Sequence, residues 1–274
     1  MSVQAGAVVR VTYGRAFYGL MVRDARVLRR EFVSFLLRTV MNPLLFVFVF
    51  TYVFPKIGRG LGGGAAGGPT FATVLVPGLI AVAVFFQGIA AVALPLATEL
   101  GGTREIEDRL MAPLPIALVS FEKVVFSTFQ SVLAALVVFP LLYVIPAEPV
   151  SVHIASWPLL IGVVVIAGLL AGFLGLLLGT VVQPRQIGLI FSLVVVPITF
   201  LGCVYYPWQT LSAIPWLKVL TLVNPLVYVS EGLRAAMTPS IPHMPVPVVI
   251  AALLAITGAL AWLSTRSFIR RVTG

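Results

Sequence analysis

Six long apolar runs, at 35–55, 71–97, 117–145, 157–182, 186–203 and 246–264, dominate the chain. A helix of about 20 residues crosses a hydrocarbon core roughly 30 Å thick, so each run can span a bilayer, some with tilt or an interfacial flank. The fourth, WPLLIGVVVIAGLLAGFLGLLLGTVV, carries no charge at all. Pro43, Pro77, Pro95, Pro140 and Pro197 fall inside or near the ends of runs, where membrane helices tolerate them as kinks. Before the first run the pattern changes. Phe17, Met21, Ala25, Leu28 and Phe32 recur at helical spacing, with Arg15, Arg23, Arg26, Arg29 and Arg30 on or near the opposite side. This predicts a basic amphipathic helix lying in the membrane interface.

Between the last two runs the pattern breaks again. Residues 207–222 and 224–237 are two apolar pieces divided by Asn224-Pro225, and neither reaches spanning length. They can enter the outer leaflet and return, provided protein shields their backbone. Tyr205, Tyr206, Trp208, Trp216 and Tyr228 supply the aromatics expected at an interface. The expected fold is therefore an all-α polytopic membrane protein with six transmembrane helices, an N-terminal amphipathic helix and a re-entrant helical hairpin between spans 5 and 6. It forms one domain over 1–274. A tail and the amphipathic helix occupy 1–34, the spans 35–264 (with a cytoplasmic loop at 98–116 and an external hairpin at 204–240), and a second tail 265–274.

Charge fixes the expected orientation. With the N-terminus inside, fourteen basic residues are cytoplasmic, and only Lys56, Arg59, Lys218 and Arg234 are external. The positive-inside rule selects this arrangement, with both termini cytoplasmic, in a bacterial plasma membrane. Counting 224–237 as a seventh span would put Arg266, Arg270 and Arg271 outside and weaken the bias.

Composition agrees with a bilayer as solvent: 60% of the residues are hydrophobic and 10% charged, against roughly 25% charged in a soluble domain. The net charge of +9 is read as membrane topology rather than nucleic-acid binding. The single cysteine, Cys203, excludes an intramolecular disulfide. The glycine-rich stretch GRGLGGGAAGG at 58–68 lacks the Gly-Lys-Ser/Thr of a phosphate-binding loop and reads as a flexible external connection.

With Arg38, Glu122 and Lys123 counted as cytoplasmic, the span interiors hold no Asp, Glu, Lys, Arg or His. Proton-driven pumps use such groups as relays, so uphill transport here needs energy from elsewhere; sodium coupling through hydroxyls and carbonyls stays open. The two histidines, His153 and His243, fall in external loops, and no catalytic or metal-ligand motif is present. The densest acidic cluster is cytoplasmic, in TELGGTREIEDRLMAPLPIALVSFEK. A short helix over TREIEDRLM would bring Ile106, Leu110 and Met111 together as an apolar knob rimmed by charge, a shape suited to a partner's groove. A solvated loop is the plainer alternative.

In this order of elements the chain resembles the membrane subunit of an ATP-binding-cassette exporter of the type-2 permease class, which includes drug, lipid and polysaccharide exporters. The likeness rests on the basic interfacial helix, a charged first cytoplasmic loop leading into MAPLPIALVSFEKV, and YYPWQTLSAIPWLKVLTLVNPLVYVSEGLRAAM before the last span. Asn224, Pro225, Glu231 and Arg234 match the most specific part of the pattern.

The resemblance implies a half-transporter without a catalytic site or cofactor of its own. ATP and Mg would be held by two copies of a separate ATPase subunit, and a second permease subunit would complete a homodimer or heterodimer in the bilayer. It implies that Glu99, Arg104, Glu105, Ile106, Asp108 and Arg109 belong to a coupling helix that docks the ATPase. It also implies that the hairpin lids the outer end of the pathway. No carbohydrate-binding domain is evident, which favours a drug- or lipid-like cargo. A polysaccharide exporter, a stand-alone secondary transporter and a membrane scaffold are the alternatives. An amphiphile needs a largely apolar surface with a few polar groups, and Phe85, Phe86 and Gln87 with Phe191, Thr199 and Phe200 offer that mixture. Glu231 and Arg234 share a helix face three residues apart, so they can pair, either to brace the hairpin or to gate it.

Overall fold

The computed structural model describes residues 13–53, 56, 70–100, 114–146, 150–183 and 185–273. The stretch with Arg104, Glu105, Ile106, Asp108 and Arg109, and the glycine-rich connection at 58–68, lie outside the described residues.

The elements, in order, are α1 (Tyr13–Arg30), α2 (Phe32–Val47) running into a π-helical stretch (Phe48–Val53), α3 (Phe71–Thr98), α4 (Ile116–Val144), α5 (Trp157–Val181) and α6 (Ile187–Phe200). There follow a 3₁₀ turn (Trp208–Ala213), α7 (Pro215–Leu220), a second 3₁₀ turn (Thr221–Val223), α8 (Pro225–Met237) and α9 (Val246–Thr273). No strand occurs among the described residues. Tyr13–Arg30 is the amphipathic helix expected from the apolar stripe; it has arginines in its last turn and no buried residue.

Among the described residues, five stretches are long and apolar enough to cross a membrane: Phe32–Val53, α3, α4, α5 and α9. The run at 186–203 behaves differently. Its helix, α6, has 14 residues, about 21 Å at 1.5 Å per residue, which is short of the hydrocarbon thickness. It stops because the chain turns at Gly202 and Cys203, the latter at φ 51°, the left-handed region that disfavours a side chain. The segment 207–237 forms only short helices, as its length pattern required.

α3 is the central post. Of its apolar window 78% is buried, against 11% for α9, so α3 is enclosed by its neighbours while α9 lies at the periphery. α3 packs most closely on α5, and α5 in turn packs on α9. The α3–α5 seam depends on small residues, since in lipid close backbone approach replaces the hydrophobic drive between helices. A Cβ at Gly175 would lie 2.6 Å from the Ile89 carbonyl oxygen, and one at Gly88 would lie 2.6 Å from the Ala171 methyl. We expect Gly175→Ala to cost ~1–3 kcal/mol by overpacking this seam, read as a lowered melting temperature of the purified protein.

At the end of the bundle where α3, α5 and α9 begin, cross-links hold the 207–237 segment in place. The His153 and Ala155 amides donate to the Met237 and Ala236 carbonyls at 3.0 and 2.9 Å. The Ser151 amide donates to Thr73 Oγ1 at 3.2 Å. At the opposite end, the Thr180 and Ser267 hydroxyls lie 3.1 Å apart, joining α5 to α9.

Candidate functional site

α8 starts sharply. Asn224 Oδ1 accepts from the Leu226 amide at 3.0 Å, and Pro225 occupies the first turn, where its missing N–H costs nothing. The same side chain donates through Nδ2 to the Ile198 carbonyl at 2.7 Å, so one residue caps α8 and ties it to α6. We expect Asn224→Ala to lower stability by ~1–2 kcal/mol, because it removes the cap and leaves a carbonyl in need of a donor. A melting shift no larger than that of a neutral surface change would refute the double role.

About two and three turns further along α8, Glu231 and Arg234 are both 0% exposed. They form a direct ion pair between Glu231 Oε1 and Arg234 Nη1. The carboxylate also collects two backbone donors, the Trp208 amide on Oε1 at 2.9 Å and the Met244 amide on Oε2 at 2.8 Å. Arg234 Nη2 donates to the Cys203 carbonyl at 3.0 Å. The pair thus binds four pieces of chain: α8, the turn after α6, the start of the 3₁₀ turn, and the segment entering α9. Burying two charges is tolerable only when such additional hydrogen bonds meet them. Asn224, Pro225, Glu231 and Arg234, expected together as a gate, do share one element; its two charges face the protein interior rather than an open mouth.

A second polar group sits nearer the other end of the bundle. Glu99, the described member of the expected docking set, is buried and accepts from Lys123 Nζ of α4 through both oxygens, at 3.0 and 2.7 Å. Arg38, Glu122 and Lys123, read as cytoplasmic, lie about two turns inside helices that continue as spans. Between α1, α2, α3 and α4 a cavity of about 360 Å³ opens beside this pair. Gln87 and Gln130 on its wall belong to a chain of neutral polar groups that reaches Thr39 in the adjoining groove: Thr39 Oγ1 donates to Gln87 Oε1 at 3.1 Å, and Gln87 Nε2 donates to Gln130 Oε1 at 3.0 Å.

The six residues expected to line a substrate path are not gathered on one surface. Phe85 is fully buried in the core, whereas Phe200 is exposed. The Phe200 ring lies tilted against Tyr205, 5.8 Å between centroids. Gln87 and Phe86 face a groove between α2 and α3, and Thr199 is buried in α6. The side chain of Phe191 is outside the description.

Sequence reasoning did not find Lys123 as the partner of Glu99, the Thr39–Gln87–Gln130 chain, or the amide donors to Glu231. Gln130 had a visible signal, since it lies seven residues after Lys123 and so on the same helix face. Backbone donors leave no such trace.

The fold and these buried polar links define a polytopic helical membrane protein whose non-spanning helices are built into one end of the bundle. Residues 15–238 match the ABC-2 type transporter family, and the chain belongs to that family. It is similar to the inner membrane transport permease YadH of Escherichia coli K12, with 29% identity over 171 residues, covering 61% of this chain and 63% of the relative. The permease of the same name from Shigella flexneri matches with the same figures. The matched region thus spans under two thirds of these relatives. With its apolar helices and its family, the chain is a multi-pass protein of the bacterial plasma membrane.

Proposed function

We propose that the chain is the permease subunit of an ATP-driven exporter, moving an amphiphilic drug-, lipid- or glycolipid-like substrate outward, with ATP hydrolysis supplied by a separate ATPase subunit. Two permease subunits, identical or different, would engage two ATPase copies. The observation that carries this reading is the family match across 15–238, which runs from the amphipathic helix through the end of α8. In this reading both termini are cytoplasmic, α6 and the turn after it complete a sixth crossing, and the 207–237 segment is a re-entrant lid at the outer end. Four cross-links from Trp208, Asn224, Glu231 and Arg234 support a braced lid.

The docking surface would be the charged loop with Arg104, Glu105, Ile106, Asp108 and Arg109, next to Glu99. Charge reversal at Glu105 and Asp108, or Ile106→Asp, is expected to abolish co-purification of the ATPase while leaving membrane insertion unchanged. An apolar contact buried in a partner's groove contributes ~1.5–3 kcal/mol, enough to lower occupancy tenfold or more. Unchanged co-purification and unchanged export would show the loop to be merely solvated. For orientation, an impermeant thiol reagent on intact cells should modify a cysteine at Ser240 and spare one at Arg185; the reverse order would overturn it.

A further inference from the structure

Two cavities of similar size meet on the α2 side of α3. The first, about 360 Å³, lies between α1, α2, α3 and α4 and is lined by charged and polar side chains together with apolar ones such as Leu28, Phe35 and Phe126. The second, about 350 Å³, is an apolar groove between α2 and α3 floored by Met41, Pro43, Val82, Phe86 and Leu94. Arg38, Gln87 and Ala90 line both, so the two spaces share a wall and Arg38 stands at their junction. A polar chamber joined to an apolar groove fits a molecule with a polar head and a hydrocarbon tail.

The charges are ordered along this path. Lys123 and Glu99 neutralise one another through two hydrogen bonds. Glu31 and Arg38 are different: among the described residues neither side chain has an ion-pair partner, and both are exposed to the chamber. They stand seven residues apart: Glu31 is the N-cap residue before α2, and Arg38 lies about two turns into that helix, roughly 10 Å along its axis. Arg38 borders the apolar groove, whereas Glu31 lines only the polar chamber. Arg23 and Asp24 of α1 also line the chamber, so a ligand passing from the groove into it meets Arg38 first and then a mixed set of charges that includes Glu31.

We propose that this is a binding site for a zwitterionic phospholipid with a terminal primary ammonium, the ethanolamine head class. Its phosphate, next to the acyl tail, pairs with Arg38, its ammonium with Glu31, and one tail lies along Met41, Val82 and Phe86. A guanidinium is well suited to a phosphate because its fork of N–H groups matches two oxygens at once. An anionic glycerol head would fill the Arg38 half and leave Glu31 facing hydroxyls. The inference uses the reading of α2 and α3 as membrane helices and does not depend on the direction or identity of any exported cargo.

The test is native mass spectrometry of the purified full chain, without ATPase, after equilibration with equal amounts of ethanolamine, choline and glycerol phospholipids. We expect the ethanolamine lipid to be retained roughly tenfold over the glycerol lipid, the ratio that one favourable charge contact supports. Glu31→Gln should erase that preference while retaining phospholipid. Arg38→Gln should lose both lipids, and Arg38→Lys should restore most of the binding. Glycerophosphoethanolamine, which has the head and no tails, should fail to compete. Indifference to head group, an unchanged Arg38→Gln protein, or full competition by the tail-free head would each overturn the proposal. Because no transport is measured, these outcomes are separate from the fate of the exporter reading.

Discussion

Replacing Glu231 by alanine should remove ~3–5 kcal/mol of stability, the cost of leaving one member of a buried ion pair without the other. Arg234 would then stand in the interior with the Cys203 carbonyl as its remaining acceptor, and the Trp208 and Met244 amides would lose theirs. With total stabilities of only about 5–15 kcal/mol, such a loss should appear as reduced membrane yield and a much lower melting temperature in detergent. The double charge reversal, Glu231→Arg with Arg234→Glu, should not rescue the protein. It would aim a guanidinium at two amide donors and a carboxylate at a carbonyl oxygen, so three contacts turn from attractive to repulsive. Glu231→Gln should be milder, since its amide oxygen still accepts one of the two N–H groups. Wild-type melting behaviour in the charge-reversed protein would disprove the arrangement of donors described above.

The second large effect is expected at Lys123. Lys123→Ala removes the ammonium from which both oxygens of Glu99 accept; with Glu99 5% exposed, the change should cost several kcal/mol for the same physical reason. Here the geometry permits a different repair. Both oxygens of Glu99 accept from the one ammonium, and the double variant Glu99→Gln with Lys123→Met replaces both charges with groups of similar shape. Replacing a buried pair in this way is often neutral or stabilising, so the double variant should melt well above Lys123→Ala. Equal melting of the two proteins would mean that the lysine acts through other neighbours. The contrast between sites is diagnostic: repair by neutral isosteres should work at Glu99 and Lys123 and fail at Glu231 and Arg234, where backbone groups are bound.

The elements legible in the sequence were those set by periodicity and solvent. The stripe from Phe17 to Phe32 gave the amphipathic helix, and the uninterrupted run from Trp157 gave α5, because each pattern has one compact solution in a bilayer. The break at Asn224-Pro225 was also readable, since a side-chain oxygen followed by proline is a helix start written in two residues. The end of α6 was not. In VVVPITFLGC only Gly202, just past the C-cap, hints at the stop at Phe200, and a lone glycine in an apolar run is a weak mark; Cys203 in a left-handed conformation, with its carbonyl held by Arg234, completes the turn. The candidate sites were half legible for a similar reason. Spacing showed that Glu231 and Arg234 could pair, but the identity of the other donors depends on where distant backbone amides arrive. Likewise Phe85 and Phe200 share a chemical character without sharing a surface, because apolar composition does not say which face of a helix is inward.

The carboxylate of Glu231 has a consequence in time as well as in space. Its partners leave the ribosome in sequence: the Trp208 amide first, then Arg234, and the Met244 amide last. Until residue 244 has emerged, one oxygen of the carboxylate awaits its donor, although α3, α4 and α5 are already made. The C-terminal third is therefore expected to close late and as a single unit, with the arrival of α9's leading edge as the final step. A nascent chain arrested before Met244 has left the ribosome would present that unfinished end to membrane proteases, whereas one arrested after α9 has emerged would not.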